Sequence, residues 1–263
     1  MEDIDAKTKE ENGMVQDQAK RLAEWIGEAK RIVFFGGAGT STESGIPDFR
    51  SAGGLYESGD DEFPYSPEEM LSREFFARQP GTFYEFYRKR MVYEDAQPND
   101  MHRLLAELEQ SGRLGAVITQ NIDGLHQKAG SVNVLELHGS VLRNTCLSCG
   151  ATYGLEAVMH SVGIPRCAAC GGMLKPNVVL YGEMLDTSVL EAAAAAIEAA
   201  DLMLVGGTSL TVQPAASLVG MFEGGRLALL NRTPTPYDSH ADLRFTEPMG
   251  TIAQSVRQAL GYA

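Results

Sequence analysis

Short apolar runs alternate with helical patterns along most of this 263-residue chain, and this alternation constrains the fold more than any other feature. The predicted strands are residues 31–35, 114–119, 132–137, 177–181, 202–205 and 227–230. The predicted helices are residues 15–29, 66–78, 81–93, 99–110, 122–129, 188–200, 214–222 and 250–260. Such alternation favours an α/β fold with a doubly wound, parallel (Rossmann-like) sheet. Ligands of these sheets bind at the carboxyl ends of the strands.

The first strand runs into a glycine-rich turn, in the segment VFFGGAGTSTESGIPDFR at residues 33–50. Gly37, Ala38 and Gly39 can bring backbone N–H groups close to a phosphate. The hydride-transfer fingerprint G-x-G-x-x-G would require glycine where Thr42 stands. It would also require an acidic residue about 20 positions later at the end of a second strand, and residues 51–65 have the composition of a long loop instead. The pattern therefore predicts a phosphate-binding loop but disfavours a dehydrogenase.

Polar side chains follow several other strands. TQNIDGLH at residues 119–126 and VLELHGS at residues 134–140 bring polar groups to two strand ends, and VGGTSLTVQP at residues 205–214 is a second glycine turn. The candidate site residues are Gln120, Asn121, Asp123, His138, Gly207, Thr208, Ser209 and Asn231. Ordinary strand ends capped by Asn and Asp remain an alternative. The convergence of these motifs on one sheet edge favours a catalytic site for a dinucleotide.

All four cysteines lie in two C-x-x-C pairs, Cys146/Cys149 and Cys167/Cys170. This spacing is typical of a structural zinc site with four thiolate ligands, in which no position remains for substrate. Two disulfides or a redox motif are the alternatives, and a reducing compartment would disfavour disulfides.

Composition limits the partners. The formal net charge of −13 argues against nucleic acid, whose phosphates attract basic surfaces, and is compatible with a basic peptide. The N-terminus lacks the features of a secretory signal, and residues 1–13 have the composition of a disordered acidic tail. The most apolar stretch, residues 192–207, is interrupted by acidic residues, so no membrane segment is expected. These features predict a cytoplasmic protein.

Taken together, the motifs resemble those of the sirtuins, NAD-dependent protein-lysine deacylases, and most closely the bacterial members that consist of little beyond the catalytic core. The matching segments are GAGTSTESGIPDFRS, TQNIDGLH, LHGS, both C-x-x-C pairs, KPNVVLYGE, GTSLTVQP and LLNRTPTP. They occur in the family's order over roughly residues 15–262. Tyr181 stands where phenylalanine is common, and the adenine contact near Gly250 is poorly matched.

The resemblance implies that NAD is consumed as a co-substrate, that one structural zinc is bound, and that the partners are proteins or peptides carrying acyl-lysine. It implies that His138 is the general base and that Asn121 orients ribose and water. It adds cofactor contacts at Thr42, Asp48, Phe49, Arg50 and Ile122, and substrate contacts at Val179 and Tyr181. Protein mono-ADP-ribosyl transfer and a non-catalytic NAD or acyl-lysine binding module are the alternative functions.

The resemblance also implies a domain organisation. After the tail, the catalytic core would occupy residues 14–263. Its NAD-binding domain would comprise residues 14–50, 95–140 and 176–263, with a cofactor-loop and helical insert at 51–94 and a zinc module at 140–175.

One pair of residues bears on the acyl group. Tyr87 and Arg90 lie at helical spacing i, i+3, so they share one helix face. The spacing matches a Tyr-x-x-Arg pair that binds the acyl carboxylate in sirtuins acting on succinyl- or malonyl-lysine. The alternative is structural, because Arg88, Lys89 and Arg90 form a charge run typical of a solvated face. Deacetylation is therefore the leading expectation.

Overall fold

The computed structural model describes residues 2–49, 54–56 and 62–262. Its strands are β1 Ile32–Gly36, β2 Leu114–Thr119, β3 Val134–Glu136, β4 Gly139–Cys146, β5 Thr152–Tyr153, β6 Leu174–Val178, β7 Leu202–Gly206, β8 Arg226–Leu230 and β9 Leu243–Phe245. Its α-helices are α1 Glu2–Glu28, α2 Pro67–Met70, α3 Arg73–Arg78, α4 Pro80–Arg90, α5 Asp100–Gln110, α6 Leu125–Ala129, α7 Glu156–Met159, α8 Thr187–Glu198 and α9 Met249–Leu260.

The larger sheet has the order β3-β2-β1-β7-β8-β9, and every neighbouring pair is parallel. From β1 the chain adds β2 and β3 on one side of the sheet. It then returns to add β7, β8 and β9 on the other side. This is the doubly wound order, and the crevice between β1 and β7 is its switch point. Gly36 pairs with Gly206 across this crevice. The predicted fold class is confirmed.

The core lies on both faces of this sheet. Phe34 packs with α1, α5 and α9 on one face, whereas Val33 and Phe35 pack with α8 on the other. All five residues of β1 are buried. A parallel strand covered by helices on both sides needs apolar side chains at every position, which explains the uninterrupted run in the sequence. The described helices include none with the length and apolar character needed to cross a membrane.

The second sheet is small and antiparallel, with the order β5-β4-β6. The sequence places residues 177–181 in the parallel alternation, and this prediction is wrong. Residues 177 and 178 end β6, which pairs with β4. The sequence does not predict this pairing because β4 lacks a regular apolar pattern. Its interior positions include Arg143 and Asn144. Residues 176–178 therefore pair within the small sheet rather than within the large one.

Other differences have local causes. The predicted helix 66–78 is two helices, because Ser72 caps a second start by accepting a hydrogen bond from the Phe75 N–H at 3.1 Å. Residues 215–221 form a 3₁₀ helix rather than an α-helix. The structure continues α1 through residues 2–13, in contrast to the predicted disordered tail.

Candidate active site

Two glycine turns meet at the carboxyl edge of the large sheet. The Gly39 N–H donates to the Gly207 carbonyl at 2.8 Å, and the Gly37 N–H donates to the Gly206 carbonyl at 3.1 Å. Gly207 has a φ of +61°, and a Cβ atom there would collide with the backbone of Thr40. Only glycine allows both the backbone conformation and the close approach. The two predicted phosphate loops, including Ala38 at the start of a 3₁₀ segment, therefore form one surface.

A buried polar cluster lies beside these turns. The Ser41 hydroxyl donates to Asp123 Oδ2 at 2.6 Å, and the Asn121 side-chain amide donates to Ser41 Oγ at 3.0 Å. Asp123 Oδ1 accepts from the Leu125 N–H at 2.8 Å. Burial raises the pKa of the Asp123 carboxyl, while the hydrogen bond from Ser41 opposes this shift. Ser41 joins the two predicted residues Asn121 and Asp123, although the sequence motif alone does not identify it as a site residue.

His138 follows β3 and precedes Gly139, which begins β4. Its Nδ1 lies 3.0 Å from the Gln120 carbonyl oxygen. Since a carbonyl can only accept, Nδ1 carries the proton and Nε2 is left as the basic nitrogen. Gly139 has a φ of +75°, and a Cβ atom there would collide with the Asn177 carbonyl. Burial lowers the pKa of the His138 imidazole, and the bond to Gln120 partly offsets the shift.

The end of β2 is tied to both glycine turns. The Gln120 side-chain amide donates to the Thr208 hydroxyl at 3.0 Å, and its backbone N–H donates to the Gly36 carbonyl at 3.0 Å. Ser209 shares a hydrogen bond of 2.8 Å with Thr211. Asn231 lies one strand further along, where its side chain donates to the Thr233 carbonyl at 2.7 Å. Gln120 and Thr208 thus meet directly, whereas Asn231 belongs to the neighbouring β8 turn.

The segment after the first glycine turn folds back on itself. The Leu55 N–H donates to the Asp48 carbonyl at 2.8 Å, and the Tyr56 N–H donates to the Phe49 carbonyl at 3.0 Å. The Phe49 and Tyr56 rings contact each other with centroids 5.5 Å apart. The predicted contact Arg50 lies outside the described residues. Residues 46–49 and 54–56 are called the cofactor segment below.

Two further predicted cofactor residues occupy supporting positions. The Thr42 hydroxyl donates to the Gly39 carbonyl at 3.0 Å and so closes the first glycine turn. The Ile122 carbonyl accepts from the Val141 N–H at 3.0 Å, and this bond joins the end of β2 to β4.

The predicted substrate residues Val179 and Tyr181 lie in the stretch that leaves β6. The Val179 N–H donates to the His138 carbonyl at 3.0 Å. The Tyr181 N–H donates to the Leu71 carbonyl at 3.0 Å, and its carbonyl accepts from the Arg73 N–H at 2.9 Å. The side chain of Tyr181 is 44% exposed. Residues 179–183, called the substrate segment below, therefore run from the histidine to the α2–α3 junction.

Tyr87 and Arg90 differ in their surroundings. Tyr87 is fully buried, its ring stacks on Phe83 at 5.5 Å, and its hydroxyl has no partner among the described residues. Burial raises the pKa of this hydroxyl far above its ordinary value. Arg90 is partly exposed and lies 3.8 Å from Glu62 in an ion pair. Tyr87 belongs to the apolar cluster that includes Val178 and Leu180, so it lies behind the substrate segment.

Helix α5 supports the first glycine turn through its capping residue. The Asn99 side-chain amide donates to the Thr40 carbonyl at 2.8 Å and to Ser44 Oγ at 3.0 Å. The Asn99 N–H donates in turn to His102 Nδ1 at 3.3 Å, completing a capping box. The buried His102 ring lies 4.7 Å from that of His126. Burial lowers the pKa of His102 to about 4, so both rings belong to the neutral core.

The four cysteines form one cluster outside the crevice. Their Sγ atoms all lie within 4.8 Å of one another, and the pairs Cys146/Cys170 and Cys149/Cys167 are 3.5 and 3.6 Å apart. Ligands around a tetrahedral zinc with Zn–S bonds of about 2.3 Å lie about 3.8 Å apart, whereas disulfide sulfurs are about 2.05 Å apart. The spacing fits zinc. Tyr153 lies 3.0 Å from Cys167 Sγ, and this contact lowers the pKa of that thiol to about 6.

The fold and this edge define a Rossmann-like α/β protein with a small metal-binding module. The Sir2 family model matches residues 37–214. An NAD-dependent protein deacetylase of Clostridium acetobutylicum is 50% identical over 244 residues, covering 92% of this chain and 99% of the relative. One of Cutibacterium acnes is 52% identical, with coverage of 92% and 98%. The chain belongs to the Sir2 family.

Solved structures agree with this assignment. A Sir2 variant with a deacetylated p53 peptide and 3'-O-acetyl ADP-ribose superposes with a TM-score of 0.84 at 37% identity, covering 93% of this chain and 99% of that one. A Sir2 homologue in complex with NAD superposes with a TM-score of 0.81 at 40% identity, covering 91% and 93%. The fold and the crevice are therefore those of the family.

Proposed function

We propose that this protein is an NAD-dependent protein-lysine deacetylase, which transfers the acetyl group of a modified lysine to the ADP-ribose part of NAD and releases nicotinamide. The observation that carries the proposal is His138: its Nδ1 is held by the Gln120 carbonyl, and its Nε2 is left basic at the carboxyl edge of the sheet. The high identity to deacetylases over nearly the whole chain supports the same reaction.

The donor groups at the edge suit NAD. The turns at Gly37–Gly39 and Gly207–Ser209 offer backbone N–H groups and hydroxyls, which suit phosphate and ribose oxygens. Asp123 offers a carboxyl that can pair with a carboxamide such as that of nicotinamide, beside Ile122. Asp48, Phe49 and Arg50 belong to or adjoin the cofactor segment, and Asn231 would contact a second ribose. When bound, NAD supplies the ribose carbon that accepts the acyl oxygen as nicotinamide departs.

The chain's own side chains would then guide proton transfer. His138 Nε2 would take a proton from a ribose hydroxyl, so that the hydroxyl oxygen can attack the acyl carbon. The Asn121 side-chain amide donates to Ser41 Oγ, and this bond would hold the amide where it orients ribose and water. Gln120 would hold the ribose from the side that it shares with Thr208. Phe49 would shield the reactive carbon from water.

The substrate would bind as an extended peptide. Residues 177–183 comprise the end of β6 and the turn that follows it, and an extended peptide would pair with the backbone of this stretch as an added strand. Val179 and Tyr181 would then flank the acyl-lysine. The net charge of −13 favours basic sequences around that lysine, because opposite charges steer association.

The products decide the function. With NAD and an acetyl-lysine peptide, we expect a mass loss of one acetyl group on the peptide, together with free nicotinamide and O-acetyl-ADP-ribose. A peptide or protein that instead gains an ADP-ribosyl group would favour mono-ADP-ribosyl transfer. Binding of NAD without either product would favour the non-catalytic module. Mass spectrometry of all components separates the three outcomes.

We also propose a secondary activity on succinyl- or malonyl-lysine, supported by the Tyr87 hydroxyl, which has no hydrogen-bond partner among the described residues and lies in the apolar cluster that includes Leu180. An arginine fork and a tyrosine hydroxyl together suit a carboxylate. Arg90 already pairs with Glu62, so an acyl carboxylate would compete for it. We expect desuccinylation to be slower than deacetylation, and Arg90→Met to remove it while sparing deacetylation. Arg103→Met, at an exposed arginine of α5, is the control. Equal loss of both activities in Arg90→Met would contradict this role.

A further inference from the structure

A pair of tyrosine hydroxyls joins the cofactor segment to the substrate segment. Tyr56 Oη lies 2.5 Å from Tyr181 Oη, a short hydrogen bond in which either oxygen can be the donor. The two residues are 125 positions apart in the chain. The contact therefore connects two parts of the molecule that are otherwise built on different elements.

Each tyrosine is held by contacts in a different part of the protein. Tyr56 donates its N–H to the Phe49 carbonyl and packs its ring against the Phe49 ring. Tyr181 is held through its backbone to Leu71 and Arg73 on either side. Phe49 is the residue proposed to shield the reactive carbon of NAD. The hydroxyl pair thus connects Phe49 to a backbone that is fixed independently of the cofactor.

The rest of the substrate segment is also fixed. Glu183 accepts from the Leu180 N–H at 2.9 Å and from Lys175 at 3.0 Å, which closes the turn that carries Tyr181. Val179 is bonded to the His138 carbonyl. Both the N–H and the carbonyl of Tyr181 are hydrogen-bonded to the α2–α3 junction, so its hydroxyl offers Tyr56 a partner that is anchored outside the cofactor segment.

We propose that the Tyr56–Tyr181 hydroxyl pair is a latch that holds the cofactor segment over the NAD site. Tyr181 is then a positioning residue for the cofactor in addition to flanking the acyl-lysine. The proposal rests on the NAD site described under the proposed function. With the latch closed, Phe49 is preorganised for bound NAD, so less conformational freedom is lost on binding. Without it, a larger part of this ordering would accompany NAD binding and weaken it.

The test is a double-mutant cycle on NAD affinity. Tyr56→Phe and Tyr181→Phe each remove one hydroxyl and keep the ring. We expect each to weaken NAD binding, measured by calorimetry without peptide, by about fivefold, the factor that corresponds to one net hydrogen bond. The double variant should bind no more weakly than either single variant, because the same bond is lost once. The KM for NAD should rise in parallel, with kcat changed less.

Tyr262→Phe is the matched control. Its hydroxyl also bonds to another hydroxyl, that of Ser111 at 3.4 Å, but between α5 and the C-terminus. It should leave NAD affinity unchanged. Unchanged affinity in both single variants, or additive losses in the double variant, would overturn the latch. A wild type that binds NAD without deacetylating peptide would refute the proposed function while the affinity cycle still decides the latch. A wild type that fails to bind NAD would refute both.

Discussion

Replacement of His138 by alanine is expected to lower kcat/KM for deacetylation by a factor of ~10² or more, the range that a general base contributes. The side chain is held in one tautomer by the Gln120 carbonyl, so its removal takes away a proton acceptor that is already oriented. The backbone of residue 138 still accepts the Val179 N–H, and we therefore expect the fold and NAD binding to persist. Steady-state kinetics, with calorimetry for NAD, measure the two effects separately.

The pH profile gives a second measure of the same role. Burial lowers the pKa of His138, so the imidazole stays neutral, and hence basic, at pH values where a solvated histidine with a pKa of about 6.5 begins to be protonated. The acid limb of the kcat/KM profile should therefore lie below that value. His160→Ala, at an exposed histidine after α7, is the matched control and should change neither rate nor profile. Near-normal turnover in His138→Ala would exclude this histidine as the base.

The large sheet and its functional edge could be predicted from the sequence because both depend on local patterns. Apolar runs without alternation indicate strands buried on both faces, and glycine turns after them indicate the ligand edge. The structure indeed brings Gly39 and Gly207 together and places Gln120 against Thr208. The roles of these residues toward NAD stay predictions.

Ser41 shows why part of the site could not be predicted. Within its motif it is one of several small polar residues, and nothing local distinguishes it from Thr42 or Ser44. It becomes central only because the fold brings Asp123 and Asn121, some 80 positions away, to its hydroxyl. The Asn99 contact with Thr40 arises in the same way. The signal that could have selected Ser41 is its burial, which a polar side chain accepts only when it is hydrogen-bonded.

The small sheet is a second feature that local patterns do not predict, and it connects the cysteine cluster to His138. Strand β4 starts directly after His138 and ends at Cys146. Strand β6 pairs with it from Leu174, opposite Cys146, to Val178, opposite Gly139. One end of this ladder therefore carries a cysteine of the cluster, and the other end carries His138 and the start of the substrate segment. Long-range pairing of this kind leaves no local pattern to read.

Replacing Cys146 or Cys167 with serine is therefore expected to affect both stability and catalysis. A structural zinc is bound only by the folded state, so its loss should lower the free energy of unfolding by about 3 kcal/mol or more. For a chain of this size we expect the melting temperature to fall by about 6–12 °C. Metal analysis should give about one zinc per wild-type chain, as the four-ligand count implies. Calorimetry and elemental analysis measure these quantities.

The pairing of β4 with β6 predicts a loss of activity that the loss of stability alone does not predict. Loss of the metal would release the ends of β4 and β6 where Cys146 pairs with Leu174. The pairing of Gly139 with Val178 at the other end would then be less well fixed. We therefore expect the cysteine variants to lose deacetylation below their own melting temperature, with the KM for peptide raised more than the KM for NAD. Ser148→Ala, between the first two ligands, keeps all four thiolates and should behave as wild type. A metal-free protein with wild-type melting and activity would refute the zinc assignment, and full activity in a destabilised variant would refute the ladder.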